Sequence, residues 1–351
     1  MTEPDRRRGE DELVPAGPAL STRERVPTAQ VGPDGATPAP GEAVAADEGV
    51  DYASGLELKS RSQWAYARKR FLRHRLAVAS LIILVIILGA GLFADQIAPY
   101  SFETQNLEAS SQAPTLEEKH YFGTDFLGRD YFSRVVYGIR TSEQVALVVA
   151  LVSTMIGTFI GAIAGYYGGW IDNLLMRFTD LALTLPTLAV LLTAAAFLGN
   201  GKPMRVAIIL ALLFWTQLAR IVRGSFLSLR EKEFVEAAKA AGAGDTRIIV
   251  RHMLPNVVGP IVVNATLIVG IAILTEAALS FLGFGIQPPN PALGKLISDG
   301  VSEATPAPGV PSAWWLVTFP GLTIILIVLC INFIGDGLRD ALDPTQRRTR
   351  A

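Results

Sequence analysis

Six apolar stretches constrain this chain more than any other feature of its sequence. A helix needs about 20 predominantly apolar residues to cross the hydrocarbon core of a bilayer. In lipid a helix also satisfies its own backbone hydrogen bonds, which an open strand does not. The stretches cover residues 76–98, 145–167, 178–198, 204–222, 257–282 and 314–334. They predict an all-α membrane protein with six transmembrane helices, of which the third and sixth are kinked by Pro186 and Pro320.

The composition agrees with a chain that largely faces lipid. Charged residues make up 18% of the 351 residues, below the roughly 25% that is usual in soluble domains. The single cysteine, Cys330, lies inside an apolar stretch, and the three histidines are scattered along the chain. We therefore expect no metal site and no catalytic residues.

The residues before the first apolar stretch form two regions of different character. Residues 1–57 are rich in proline, glycine, alanine and acidic side chains, which predicts a disordered extension. Residues 58–75 contain the basic run RSQWAYARKRFLRHR. This run is typical of a helix lying on the membrane surface and binding anionic lipid headgroups. A basic flank that only orients the first span explains it equally well, and nothing indicates nucleic-acid binding.

Lysine and arginine are concentrated before the first span, between the fourth and fifth, and after the sixth. Basic loops stay in the cytoplasm, so both termini are predicted to be cytoplasmic. The predicted layout is a first span at 76–98, an external loop at 99–144, a core of five spans at 145–337 and a cytoplasmic tail at 338–351. The core includes a long cytoplasmic loop at 223–256.

That cytoplasmic loop contains a charged, alanine-rich segment, EFVEAAKAAGAGDTRIIVRHMLPN, at 233–256. A helix over residues 231–241 would place small and apolar groups on one face. These are Phe234, Ala237, Ala238 and Ala241. Such a face lets another surface approach the backbone closely. By itself this pattern fits a docking element and an ordinary amphipathic loop helix equally well.

The rest of the segment predicts a bend and a second short helix. Gly242 and Gly244 offer the backbone freedom that a sharp turn needs. Asp245 is expected to cap the second helix, and Pro255 is expected to end it where the fifth span begins.

The spacing within this segment resembles the EAA loop of ABC-importer permeases. The matching residues are Glu236-Ala237-Ala238, then Gly242, then Leu254-Pro255, whereas His252 departs from the isoleucine of that pattern. Other stretches are similar to the oligopeptide/dipeptide permease family, above all to its C-type subunit. They read HYFGTDFLGRDYFSRVVYGIRTS, AGYYGGWIDNLLMRFTDLALTLP, LSFLGFGIQPPNPALGKLISDG and WWLVTFPGLTIILIVLCINFIGDGLRDALDP. Nickel importers share much of this pattern.

The resemblance implies a type I ABC importer permease (MetI-like) fold in a bacterial plasma membrane. It implies that the segment couples to separate ATPase subunits, through residues Phe234, Glu236, Ala237, Ala238, Gly242, Leu254 and Pro255. The implied partners are a homologous B-type permease subunit, one or two ABC ATPase subunits and an extracytoplasmic peptide-binding protein. ATP and magnesium would be bound by the ATPase subunits, because this sequence has no GxxxxGK[ST] phosphate loop.

A few further residues need separate interpretation. Glu276 lies in the fifth span, where an acid either lines the translocation pathway or forms a hydrogen bond within the bundle. Asp125 and Asp130 are expected in a solvated turn rather than in a cation site. The loop GIQPPNPALGKLISDG is expected to contact the binding protein or simply to be well folded.

Four functions remain open at this stage. The favoured one is a permease subunit of an ATP-driven importer of di- and oligopeptides. A related importer of nickel or another small solute fits the same residues. An ion-coupled secondary carrier is disfavoured because the sequence shows few intramembrane ion ligands and no internal repeat. A membrane anchor without transport is disfavoured because the coupling pattern would then be accidental.

Overall fold

A computed structural model describes residues 63–198, 201–305 and 312–342. The predicted extension at 1–57 and residues 343–351 of the predicted tail lie outside the described residues. Within the described ranges the chain is helical, with one isolated bridge between Thr124 and Asp130 in place of any strand. The helices are α1 (Gln63–Phe71), α2 (Arg75–Leu92), α3 (Ala94–Ile97), α4 (Tyr131–Tyr167), α5 (Gly169–Thr184), α6 (Thr187–Leu198), α7 (Pro203–Arg230), α8 (Glu233–Ala240), α9 (Asp245–Arg247), α10 (Leu254–Phe281), α11 (Leu293–Ala304) and α12 (Trp315–Leu342).

The predicted membrane spans are present, although their bounds differ from the prediction. Five helical segments are long and apolar enough to cross a membrane. They are α2, α4, α7, the continuous run Asp245–Phe281 and α12. Helices α5 and α6 meet at an angle of 84°. They form a sixth span only if this bent pair is counted as one. The predicted kink in the third span is therefore a complete break, because the backbone turns at Leu185 just before Pro186.

Helix α4 is much longer than the predicted second span, and the predicted external loop at 99–144 is correspondingly shorter. The helix begins at Tyr131, where the carboxylate of Asp130 accepts a hydrogen bond from the Ser133 amide at 2.7 Å. This N-cap stabilises the start of the helix. The charged residues Arg134, Arg140 and Glu143 in its first turns hid this extension from a hydropathy reading.

The kink predicted at Pro320 does not interrupt the sixth span. Helix α12 continues through it because the proline lies close to the helix start, where little of the backbone ladder is lost. The missing amide of Pro320 leaves the carbonyl of Leu316 free. That carbonyl accepts a hydrogen bond of 2.6 Å from the hydroxyl of Tyr131 on α4 instead. The proline thus creates a contact between two spans.

Pro255 does not end a short helix, and this prediction was wrong as well. Residues Ile248–Met253 form a π-helical turn that joins α9 directly to α10. In this turn the amide of Leu254 bonds to the carbonyl of Ile249, five residues back. Pro255 is tolerated because its fixed φ is compatible with a helix, so the backbone loses only the one hydrogen bond that a proline cannot donate. The fifth span therefore reaches back to Asp245.

Contacts between the helices define two ends of the bundle. At one end, here named the α8 end, α4 and α7 finish, α10 begins and Gly337 of α12 lies against Phe71 and Ala77. At the other, named the α11 end, the indole of Trp315 donates to the carbonyl of Thr124 at 3.2 Å. Helix α12 extends to Leu342, so residues 338–342 of the predicted tail are helical.

The closest approach between two spans is that of α4 and α7. Three glycines one turn apart, Gly157, Gly161 and Gly165, face α7. A Cβ at Gly157 would lie 2.7 Å from the carbonyl oxygen of Trp215. A Cβ at Gly161 would clash with the carbonyl of Ala219. Small residues at helical spacing let two membrane helices pack backbone to backbone.

We expect Gly161→Ala to destabilise the bundle, because the added methyl group meets backbone atoms of α7 that cannot rotate away. The cost should be about 1–3 kcal/mol, as for other overpacked sites. The measurement is the thermal unfolding midpoint of the purified chain in detergent. Gly89→Ala is the matched control, since a Cβ there meets nothing within 4 Å. Equal midpoints for the two variants would contradict this packing.

Candidate functional site

The segment at 233–256 forms a short helix, a sharp bend and a second helical turn at the α8 end. Helix α8 is followed by Gly242, whose φ of +78° lies in the left-handed region that favours glycine. The predicted bend is therefore made by Gly242. Gly244 does not share in it, because its φ is −69°.

The segment is anchored to the spans by a small apolar core. Val235 of α8 and Met253 of the π turn are each 0% exposed, and Ile248 is equally deep. They pack with residues from the last turns of α4 and α7, namely Ala162, Tyr166, Leu218, Val222 and Phe226. Because this core holds α8, α4 and α7 together, a force applied to α8 is passed to both spans.

Polar contacts around Tyr166 strengthen the same attachment. The hydroxyl of Tyr166 donates to the carboxylate of Asp245 at 2.7 Å. Asp245 is the first residue of α9, so it holds the segment to α4 instead of capping the second helix as predicted. The ammonium of Lys239 lies 5.7 Å from the Tyr166 ring centroid, and Arg230 donates to the Tyr166 carbonyl at 3.1 Å.

The residues predicted to couple lie mainly on the outer surface of the segment. Phe234 is 41% exposed, and Glu236, Ala237 and Gly242 are exposed as well. Ala238 and Leu254 are half-buried against the apolar core, whereas Pro255 is exposed. The predicted small-residue face is thus largely uncovered by the residues that the structure describes. Val235, the anchor of the helix, was missed, although it is the only β-branched residue of α8.

Glu276 lies inside the bundle, between α10 and α4. Its carboxyl group is completely buried and accepts hydrogen bonds from Ser142 at 3.0 Å and Ser280 at 2.6 Å. The Ser280 hydroxyl also accepts from the amide of Ile286 at 3.1 Å. Glu276 therefore joins two spans and the loop after α10, which matches the hydrogen-bonding interpretation of this acid.

The turn containing Asp125 and Asp130 is buried, which corrects the prediction of a solvated turn. Each aspartate is 2% exposed. Asp125 pairs with Arg134 and, at 2.8 Å, with Arg129. Asp130 caps α4 and accepts from the Nδ1 atom of His120 at 2.8 Å. The sequence signal was the pairing of acidic and basic residues within one short loop, and its burial depends on α11 and α12 covering it.

The loop GIQPPNPALGKLISDG is partly helical and well packed. Its second half forms the start of α11, with Leu293 and Leu296 buried against the neighbouring spans. Within the described ranges no group of three or more histidine, cysteine or acidic side chains could hold a metal ion.

We expect Glu276→Gln to keep the stability of the bundle, because an amide can still accept from Ser280 and bond to Ser142. Glu276→Leu should lower the free energy of unfolding by about 2–5 kcal/mol, since it leaves both buried hydroxyls without their partner. The measurement is thermal unfolding of both variants in detergent. If glutamine destabilised as much as leucine, the contact would require a charge, and this account of Glu276 would be wrong.

Comparison with known proteins identifies the family. Residues 157–348 match the family described as "Binding-protein-dependent transport system inner membrane component". Residues 62–114 match the "N-terminal TM domain of oligopeptide transport permease C". The chain is 42% identical over 297 residues to the oligopeptide transport system permease protein OppC of Escherichia coli K12, covering 85% of this chain and 96% of that relative. It is 43% identical over 286 residues to the dipeptide transport system permease protein DppC of Alkalihalophilus pseudofirmus, covering 82% and 91%. A relative from Mycobacterium tuberculosis H37Rv, also named OppC, is 41% identical over 283 residues, covering 80% and 94%.

These matches confirm the fold class, the membrane location and the resemblance stated from the sequence. The relatives are named as permease proteins of oligopeptide and dipeptide transport systems. The chain is a multi-pass membrane protein that belongs to the family of binding-protein-dependent transport system inner membrane components.

Proposed function

We propose that this chain is a permease subunit of an ATP-driven importer of di- and oligopeptides. The names of its relatives support the peptide cargo. The single observation that carries the mechanism is the uncovered face of α8, held rigidly to α4 and α7 by the core around Val235. The chain itself is not an enzyme, and ATP and magnesium are bound by its partners.

The partners proposed for the complex follow the same reasoning. One or two ABC ATPase subunits contact α8 through Phe234, Glu236 and Ala237, with Gly242 setting the bend. The coupling surface also includes Ala238 and Leu254, which lie against the apolar core, and Pro255, which is exposed. A homologous B-type permease forms the other half of the pathway. An extracytoplasmic peptide-binding protein delivers the cargo at the α11 end.

Energy transfer in this proposal is mechanical. When the ATPase subunits close on ATP, they displace α8. The core around Val235 then moves the ends of α4 and α7, and the glycine contacts between those helices make the pair move as one body. The bundle rocks between inward-open and outward-open states, as alternating access requires.

The deciding experiment is reconstitution of the complete complex in lipid vesicles. Uptake of labelled peptide should require ATP, both ATPase sites and the binding protein. Uptake that depended on an ion gradient and not on ATP would instead support a secondary carrier. Uptake of nickel with no uptake of peptide would support the related importer.

The proposed orientation places the α8 end in the cytoplasm. We expect Thr246→Cys to react with a membrane-impermeant maleimide only from the cytoplasmic side, and Glu103→Cys only from the opposite side. Both are exposed and lie at opposite ends of the bundle. Cys330→Ser removes the one native thiol and provides the background. Reaction of both cysteines from the same side would contradict the orientation.

We expect Gly242→Val to weaken the association with the ATPase subunits or to uncouple ATP hydrolysis from uptake. A β-branched residue at φ of +78° is strained by about 1–3 kcal/mol, so the bend would shift and α8 would be presented wrongly. The measurements are co-purification of the ATPase subunits and the ratio of peptide transported to ATP hydrolysed. Gly244→Ala is the matched control, because Gly244 has an ordinary φ and open space around it. Normal coupling in Gly242→Val would refute this role.

A further inference from the structure

A charged pocket lies between α5 and α7, in the half of the bundle nearer the α8 end. It has a volume of about 470 Å³. Its lining is formed by Asn173, Met176, Arg177 and Asp180 of α5 and by Arg220 and Arg223 of α7. None of these residues belongs to the segment at 233–256, and the coupling mechanism does not use them.

Two of the three guanidinium groups in this pocket are held by aspartates. Arg223 donates two hydrogen bonds to Asp172, at 2.5 and 2.6 Å, in the planar arrangement that fixes both side chains. Arg220 donates to Asp180 at 2.5 Å. These two ion pairs hold α5 against α7, and in each the positive charge of the arginine is balanced by the aspartate.

Arg177 is the remaining cation of the pocket. Its side chain is exposed, and no hydrogen bond or ion pair joins it to any other residue in the part of the chain that the structure describes. Three guanidinium groups therefore meet two carboxylates, and the excess positive charge is that of Arg177. The pocket has the charge balance to accept one anionic group.

The pocket lies inward of the ends of both helices, where lipid acyl chains would be a costly covering for its charged groups. Arg220 lies ten residues before the end of α7, about 15 Å along the helix axis. Arg177 lies eight residues after the start of α5, about 12 Å along its axis. Ionisable groups within membrane helices face a polar cavity or one another, because contact with hydrocarbon is costly.

Helix α5 already has a separate surface that suits lipid. Trp170, Leu174, Phe178 and Leu181 are all more than half exposed and lie on one face. The pocket residues occupy the neighbouring face, and the polar surface continues on α7 through the exposed Gln217, one turn before Arg220. A polar strip beside an apolar face indicates the wall of an aqueous path.

We propose that this pocket is the inner part of the translocation pathway and that Arg177 binds the terminal carboxylate of the passing peptide. The inference rests on the proposed peptide import. A carboxylate is the group that a free guanidinium fork binds in a bidentate manner. It is also the one anionic group that every peptide with a free carboxyl terminus carries, whatever its side chains. A single exposed arginine binds it weakly, so the peptide can leave.

The test compares two peptides of one sequence, one with a free carboxyl terminus and one with an amide. They are chosen to bind the purified binding protein equally well. Their ATP-driven uptake is measured with the complete complex in vesicles. Arg177→Gln should reduce uptake of the free-carboxylate peptide about three- to fivefold, as expected for one exposed ion pair. Its uptake of the amidated peptide should equal that of the wild type.

Two further variants complete the design. Arg177→Lys keeps the charge without the planar fork and should fall between wild type and Arg177→Gln. Arg339→Gln removes an exposed arginine of α12 that does not line the pocket, and it should change neither uptake. Co-purification of the partner subunits tests whether each variant assembles. We expect assembly, because Arg177 forms no hydrogen bond or ion pair with the residues that the structure describes.

Three results would overturn the inference. Arg177→Gln could leave both peptides unaffected, or it could reduce both equally, which would indicate a structural or partner contact. Its effect could also vanish in vesicles that lack anionic phospholipid, which would identify a lipid headgroup as the ligand. Failure of the wild-type complex to import either peptide would refute the proposed function and this inference with it.

Discussion

The close contact between α4 and α7 is the interaction on which the rest of the structure depends. Gly157, Gly161 and Gly165 bring the two backbones together over about two helical turns, without side chains between them. Helices in lipid gain little from hydrophobic association, so this packing has to come from shape. The pair then forms the support for both distinctive regions of the bundle. The segment at 233–256 is attached to its end, and the charged pocket is built on the outer side of α7.

Polar groups in the bundle are placed where they tie elements together. Glu276 joins α10 to α4, and the hydroxyl of Tyr131 uses the carbonyl that Pro320 leaves free on α12. Asp125 and Asp130 hold the loop before α4 through Arg134 and His120. A buried polar group without a partner costs more than its hydrogen bond contributes, so these groups occur as satisfied pairs. They tie the α11 end together, whereas α8 at the other end leaves most of its residues exposed.

The contrast between the two ends fits a transporter that receives force from outside. At the α8 end the exposed face of α8 stands on the core around Val235, and beside it the pocket between α5 and α7 opens to the surface of the chain. Helix α5, which the break separates from α6, carries both an exposed apolar face and a charged face. Motion of α7 would therefore act on the pocket directly through the Arg220–Asp180 and Arg223–Asp172 pairs.

Much of the architecture could be predicted from the sequence by itself. The length of the apolar stretches predicted the membrane spans, and Gly242 predicted the bend after α8. Both features are set by residues that are close together in the sequence. The tertiary structure alone decided which residues meet. The role of Val235 as anchor, the pairing of Arg223 with Asp172 and the burial of Asp125 all arise between segments far apart in sequence. The different outcomes at Pro186, Pro255 and Pro320 have the same origin. A proline removes one backbone donor. What packs against the helix decides whether it breaks, continues through a π turn, or continues while a neighbouring helix bonds to the free carbonyl.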